Sequence, residues 1–179
     1  MKKIFLFAAI VGAMLAGCSK DKPELKLEIG QDYQGGKIAY LDATGKHGLI
    51  AAPSDQDAGS GIQWYNGSYG ITGATGTDIG TGKNNTEKIV TAQGTMVSYA
   101  ANLCKSLNLG GYTDWFLPSK DELNKLYENR VKIGGFSNAW YWSSSEYDLN
   151  YAWNQSFNGG NQATSNRSSN CRVRAVRAF

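Results

Sequence analysis

Histidine, cysteine and proline are scarce in this chain: one, three and three among 179 residues. A single histidine rules out a metal centre built on several imidazoles, and two cysteines as far apart as Cys104 and Cys171 do not make a zinc site with it. So few prolines exclude a collagen-like or polyproline chain. Long apolar runs are missing too. The run from Ile4 to Leu15 is too short for a spanning helix, which excludes a multi-span membrane protein. A charge excess of one sign is also lacking. The formal +3 includes Lys2 and Lys3, and without that pair the 18 basic residues come within one of the 15 acidic ones. No counterion-release argument for nucleic acid survives, so no nucleic-acid partner is expected. What the chain does have is glycine and aromatic residues, with 22 Gly, 10 Tyr and 5 Trp against 41% hydrophobic residues overall. That is too aromatic for a disordered chain and too glycine-interrupted for a helical bundle. The length suits one domain of ordinary size.

Lys2 and Lys3 followed by the apolar run have the form of a secretory signal. The run ends in Leu15-Ala16-Gly17-Cys18, which looks like a bacterial lipobox, with small residues at the cleavage site and a thiol to accept the lipid. Residues 1–17 are therefore expected to be a lipoprotein signal peptide, Cys18 the lipidated first residue, and 18–28 a charged tether carrying Pro23. Ser19 stands where an aspartate would retain the protein in the inner membrane. An outer-membrane lipoprotein, facing periplasm or cell surface, is the expectation, with the folded domain over 29–179.

Within that domain, Lys37 to Leu41 and His47 to Ala52 flank the turn Asp42-Ala43-Thr44-Gly45 as a β-hairpin. Ile62 to Tyr65 reads as a third short strand. Asn66 to Asn85 is a Gly/Thr/Asn loop of unusual length, either functional or pinned by hydrogen bonds. Ile89, Val90, Val97, Ala100, Ala101, Cys104 and Leu107 follow helical spacing, which Gly94 divides into a short and a longer piece. Ser119 and Glu122 form a capping box for a second helix, with Leu123, Leu126, Tyr127 and Val131 on its inner face. Trp140–Glu146, Tyr151–Phe157 and Arg172–Arg177 read as strands. Helices set between strand pairs predict an α+β domain with two helices and a small antiparallel sheet, not an alternating βαβ fold.

Catalytic patterns are weak. His47 has no Cys or Ser near it in sequence to form a relay, and Gly76 to Lys83 lacks the order of a phosphate-binding loop. No cofactor is expected. The pair Cys104 and Cys171 is either a disulfide of an exported protein or two buried thiols.

The blocks Thr72-Gly73-Ala74-Thr75-Gly76, Ile79-Gly80-Thr81-Gly82, Asn85-Thr86, Gly111 to Leu123, Tyr141 to Glu146 and Val173 to Phe179 resemble the DUF1566 family. That family includes the C-terminal domain of the Legionella collagen-like adhesin. The resemblance spans Gly35 to Phe179. It implies a C-type-lectin-like fold, and a disulfide between a helix and the last strand, here Cys104 with Cys171, although relatives place the second cysteine where this chain has Ala175. It also implies recognition of a glycan or protein ligand without catalysis. Two other readings stand beside it. One is a structural envelope component with no specific ligand. The other is a formylglycine-generating-type oxidase, because Leu117 to Leu123 is similar to the Leu-Pro segment of those enzymes.

Strand parity puts Tyr151, Trp153 and Phe157 together as core and Trp140 with Trp142 inward, opposite Tyr141. The candidate ligand-binding set is then Tyr141, Glu146, Tyr147, Asp148, Asn150, Asn154, Asn158 and Asn161, amides and carboxylates beside an aromatic ring. Glu146, Asp148 and Asn150 carry oxygens suited to calcium, but Trp153-Asn154 is followed by Gln155 where sugar-binding lectins have Trp-Asn-Asp, and no metal is expected. Arg167, Arg172, Arg174 and Arg177 offer either a patch for an anionic glycan or an internal salt-bridge network.

Overall fold

A computed structural model describes residues 26–179. Cys18 and the expected signal peptide lie outside the described residues. The described chain forms β1 (Asp32–Tyr33), β2 (Gly36–Leu41), β3 (Gly48–Ala51), α1 (Gly82–Gln93), α2 (Ala100–Lys105), α3 (Lys120–Glu128), α4 (Arg130–Ile133), β4 (Trp140–Glu146), β5 (Tyr151–Ser156), β6 (Gln162–Asn166) and β7 (Val176–Ala178). The α+β class holds. The single expected sheet is two, ordered β1-β2-β3-β7 and β4-β5-β6, with antiparallel pairing throughout both.

The β2–β3 hairpin forms where its turn chemistry placed it. Asp42 Oδ1 accepts from the Thr44 N–H at 3.0 Å and the Thr44 hydroxyl at 2.6 Å, which closes the turn from inside. A bulge between Ile38 and Tyr40 twists the pair. The C-terminal strand closes this sheet, with Ala51 opposite Val176 and Leu49 opposite Ala178. Of the expected Arg172–Arg177 strand only Val176 and Arg177 are regular, and the strand runs on to Ala178. Upstream of it, Cys171 bridges Ile62 and Arg172 bridges Tyr141, so the closing segment touches both sheets. Ile62 contributes that one bridge and not a strand of its own.

The helices number four among the described residues, against two expected, and the lengths around Gly94 are reversed. The piece before it, α1, is the longer. Its first turns bury Gly82, Asn85 and Thr86 ahead of Ile89, so the inward face is polar and carries no apolar period. Gly94 ends the helix at φ 72°, a left-handed value that glycine adopts without strain. Tyr99 is extended beyond it and donates its hydroxyl to the Gly94 carbonyl at 2.6 Å. The capping box of α3 is present as expected, with the Glu122 N–H on Ser119 Oγ at 3.3 Å and the Ser119 N–H on Glu122 Oε2 at 2.7 Å. Val131, expected inward, is 88% exposed, because the chain turns at Asn129 and α4 directs Ile133 inward instead.

Parity fails on β4. Tyr141 and Trp142 are both fully buried while Trp140 is largely exposed. The strand has α1 on one side and α3 on the other, and a strand covered on both faces has no solvent face to alternate with. β6 reads Gln-Ala-Thr-Ser-Asn, has no apolar signal, and forms by pairing with β5 alone.

Two apolar clusters make up the core. One gathers Trp64, Tyr99, Trp115 and Trp142 with both cysteines, and the other gathers Phe116, Leu123, Leu126, Tyr141 and Phe157. The expected disulfide is absent: Cys104 and Cys171 are free thiols. Cys104 lies on the inner face of α2, whereas the Cys171 sulfur is directed at β5, 3.6 Å from Asn154 Nδ2. Burial pushes the Cys171 thiol up to about 11 and raises Cys104 as well. Alkylation of the native chain at neutral pH should therefore label neither residue. After unfolding without reductant, each should take one label by mass spectrometry, whereas a bridged pair would take none.

Candidate ligand-binding surface

The residues that carry the family-like blocks are largely internal. Residues 72–81 have almost no apolar side chains, and the loop is instead held by hydrogen bonds from neighbouring elements. Glu146 donates its N–H to the Ala74 carbonyl at 2.8 Å and accepts from the Thr72 N–H at 2.7 Å and from the Thr72 hydroxyl. Asn85 exchanges two bonds with the Gly76 backbone, Nδ2 to O at 2.6 Å and Oδ1 from N at 3.2 Å. The Ser145 hydroxyl reaches the same carbonyl at 2.7 Å, and the Asp121 N–H reaches Thr77 O at 3.0 Å. Thr86 Oγ1 accepts from the Leu117 N–H at 3.0 Å, fastening α1 to the strand-like segment before α3.

Glu122 sits at the centre of this arrangement, with 0% exposure. Besides its bond from Ser119 it accepts from the Gly80 N–H at 2.8 Å, and the nearby Gly82 backbone also favours its ionised form. Burial raises its pKa, and the converging N–H groups pull it back down. A Cβ on Gly82 would stand 2.7 Å from Ser119 N and collide with the carboxylate, so only glycine lets α1 begin this close to α3.

The four arginines take the salt-bridge alternative. Arg167 is fully buried, pairs with Glu146 at 3.1 Å, donates to Gly70 O at 2.7 Å and to Asp148 O, and lies over Trp64 at 4.6 Å. Burial lowers its pKa and the Glu146 carboxylate opposes that shift. Asp55 is shared by Arg172 at 2.6 Å and Arg174 at 2.6 Å, and Asp57 takes Arg172 at 2.9 Å. Arg177 engages Asp114 at 2.7 Å and stacks on Tyr112 at 3.8 Å. The arginine side chains are turned into the fold and do not form a basic patch.

The eight expected ligand contacts do not converge. Tyr141 is buried, its hydroxyl donating to Asp55 at 2.9 Å and accepting from the Ser137 N–H at 2.8 Å. Glu146 is buried in its ion pair. Asn154 is 2% exposed and donates to Ser165 Oγ at 2.7 Å. These three belong to the interior. Tyr147, Asp148 and Asn150 are exposed at the β4–β5 turn, where Asp148 Oδ1 accepts from the Asn150 and Tyr151 N–H groups at 2.7 and 2.8 Å. Asn158 and Asn161 are exposed at the β5–β6 turn. Those turns lie at opposite ends of β5, about 20 Å apart for a strand of that length. The oxygens proposed for calcium are likewise divided between Arg167 and a backbone turn. Among the described residues no three His, Cys, Asp or Glu side chains come together.

On β5 parity misplaced two aromatic residues, Tyr151, which is exposed, and Trp153. Trp153 is not core. It is half-buried on the outer face of the three-stranded sheet beside Tyr151, with Thr164 opposite it on β6. Lys120 Nζ lies over its ring at 5.1 Å, and Tyr147 packs edge-on at 5.6 Å. Phe157 is buried as expected, but β5 ends at Ser156, so the alternation that tied Trp153 to Phe157 does not reach it. The signal available in the sequence was the polarity of Gln162 to Asn166, which leaves nothing apolar to cover that face. His47 is exposed at the hairpin turn.

The fold and surface define a class of small α+β domain in which the characteristic sequence blocks fasten long loops to two sheets and leave an aromatic face outside. The chain belongs to the Lcl C-terminal domain family, whose model matches residues 55–177. β1, β2 and β3 precede the matched span, yet they complete the sheet that β7 closes. No curated protein matches the chain.

Replacing Glu122 by Ala removes a helix cap, leaves the buried Ser119 N–H without an acceptor and releases the Gly80 N–H. At about 1 kcal/mol for the cap and about 1–3 for an unpaired buried donor, urea denaturation should show a loss of about 3 kcal/mol. Glu122→Gln, which keeps one carbonyl oxygen, should lose less.

Proposed function

We propose that this chain is a cell-envelope recognition module, a C-type-lectin-like domain held to the membrane through lipid on Cys18 and acting by binding alone. Its ligand is a glycan, and the observation that carries this reading is the Trp153 face. An indole half-open to solvent, flanked by Tyr147 and Lys120 and by the hydroxyl and amide side chains of β6, pairs an apolar surface for a sugar ring with donors and acceptors for its hydroxyls. The paired backbones of β5 and β6 hold that face in place, so little ordering opposes binding.

The absence of chemistry is supported by the position of the nucleophiles. Both cysteines are buried with raised thiol pKa, the reverse of the exposed, low-pKa thiols that an oxidase of the formylglycine-generating type would need. An outer-membrane address, facing periplasm or cell surface, follows from Ser19 beside the lipobox.

Glycan-array binding by the purified protein should be positive, and Trp153→Ala should weaken the best ligand roughly tenfold, about 1.4 kcal/mol, with near-UV circular dichroism otherwise unchanged. An array without binding would favour a structural envelope component instead. In the native host, Cys18→Ala should release the protein from membranes without detergent and remove the acyl mass from its N-terminal peptide.

A further inference from the structure

The aromatic surface at Trp153 continues past its indole. Tyr151 lies two residues earlier on the same side of β5, about 7 Å along the strand, and is 41% exposed. The Arg167 N–H donates to Asn150 O and the Ser156 N–H to Asn161 O, which fixes the hydrogen-bonded pairs of the β5–β6 ladder. Tyr151 with Asn166 and Trp153 with Thr164 are therefore pairs of the other kind, whose side chains stand closest across the strands. Asn166 Oδ1 in turn accepts the Tyr69 hydroxyl at 2.8 Å. The Tyr69 ring is 44% exposed and is backed by Tyr65, with centroids 4.7 Å apart. Three open rings, those of Trp153, Tyr151 and Tyr69, follow one another from the middle of β5 to the end of β6.

Polar groups beside these rings are uncommitted. The Thr164 side chain forms no hydrogen bond among the described residues. Asn166 is engaged through Oδ1 alone, which accepts from Tyr69 and from the N–H and hydroxyl of Ser168, so its amide donors are free. Charge is sparse along the row. No charged residue lies between Asp148 and Arg167 in the sequence, and Arg167 is buried in its pair with Glu146. The charges that border the rings are of both signs: Lys120 over Trp153 with the Asp121 carboxylate 3.5 Å from its ammonium, and Asp148 at the β4–β5 turn. Neither sign of ligand is favoured.

Resting on the glycan reading of the Trp153 face, we propose that the ligand is an uncharged linear oligosaccharide of several linked rings, laid along Trp153, Tyr151 and Tyr69. Each sugar sets its C–H face on an aromatic ring and turns its hydroxyls toward Thr164 and Asn166. A single terminal sugar would engage Trp153 and leave the two tyrosines unused.

Titration of the purified full chain with cello-, chito- and manno-oligosaccharides, each from monosaccharide to hexasaccharide, followed by amide NMR, tests this. For at least one series, affinity should climb about tenfold or more between monosaccharide and tetrasaccharide and then level off, with saturable shifts at Tyr151, Trp153 and Thr164. Tyr151→Ala and Tyr69→Ala, both at exposed positions, should each remove most of that gain and leave the monosaccharide affinity unchanged, whereas Trp153→Ala weakens every length. An affinity independent of length, or a gain that survives both tyrosine substitutions, overturns the extended site while the glycan reading stands. Absence of binding to all three series overturns the proposal, and the glycan array alone then decides the reading of Trp153.

Discussion

The buried carboxylate of Glu122 is the point on which the architecture closes. It caps α3 through the Ser119 N–H, receives the Gly80 N–H from the long loop, and is shielded from water while doing so. Two segments 42 residues apart meet at its two oxygen atoms. A group with these donors has few alternative positions, since the Ser119 N–H turned away from it would be left buried and unpaired. The loop over 72–81 is consequently held as firmly as a strand, although it contains none.

The second constraint is the closing segment of the chain. Cys171 bridges Ile62, Arg172 bridges Tyr141 on β4, and Val176 pairs with Ala51 on β3, so one short stretch links the two sheets. Asp55, shared by Arg172 and Arg174, holds that stretch against the loop after β3. Such buried ion pairs contribute to stability only when their hydrogen bonds are complete, and here the guanidinium of Arg174 also reaches the carbonyls of Ala52, Gly134 and Gly135. The effect is to fix the relative placement of the sheets more than to add free energy. With the polar side chains of the family blocks occupied inside, the proposed glycan reading rests on the half-open Trp153 ring with Tyr147 and Lys120 beside it.

Local chemistry was readable from residue order. The hairpin turn at Asp42 to Gly45, the capping box of Ser119 and Glu122, the break at Gly94 and the strand Trp140–Glu146 rest on interactions within a few residues and are where their residues placed them, and the strand expected over Tyr151–Phe157 ends one residue early, at Ser156. The family was readable from its ordered blocks, one of which carries the capping box of α3. β6 and the first turns of α1 were not readable. Their inward or paired positions carry Thr, Asn and Gln, whose partners come from distant segments and leave no periodic signature.

The candidate site divides along the same line. Residue types at the β4–β5 turn announced an exposed polar loop, and Tyr147, Asp148 and Asn150 form one. Only the tertiary structure decided that Tyr141, Glu146 and Asn154 face inward, that the arginines pair with Asp55, Asp57, Asp114 and Glu146, that the two thiols stay apart, and that Trp153 faces outward. The physical reason is common to all four. Whether a polar or aromatic side chain is covered depends on what packs across from it, and the elements that cover β4 and leave only Tyr151 and Trp153 of β5 open are brought there by contacts between residues far apart in the chain.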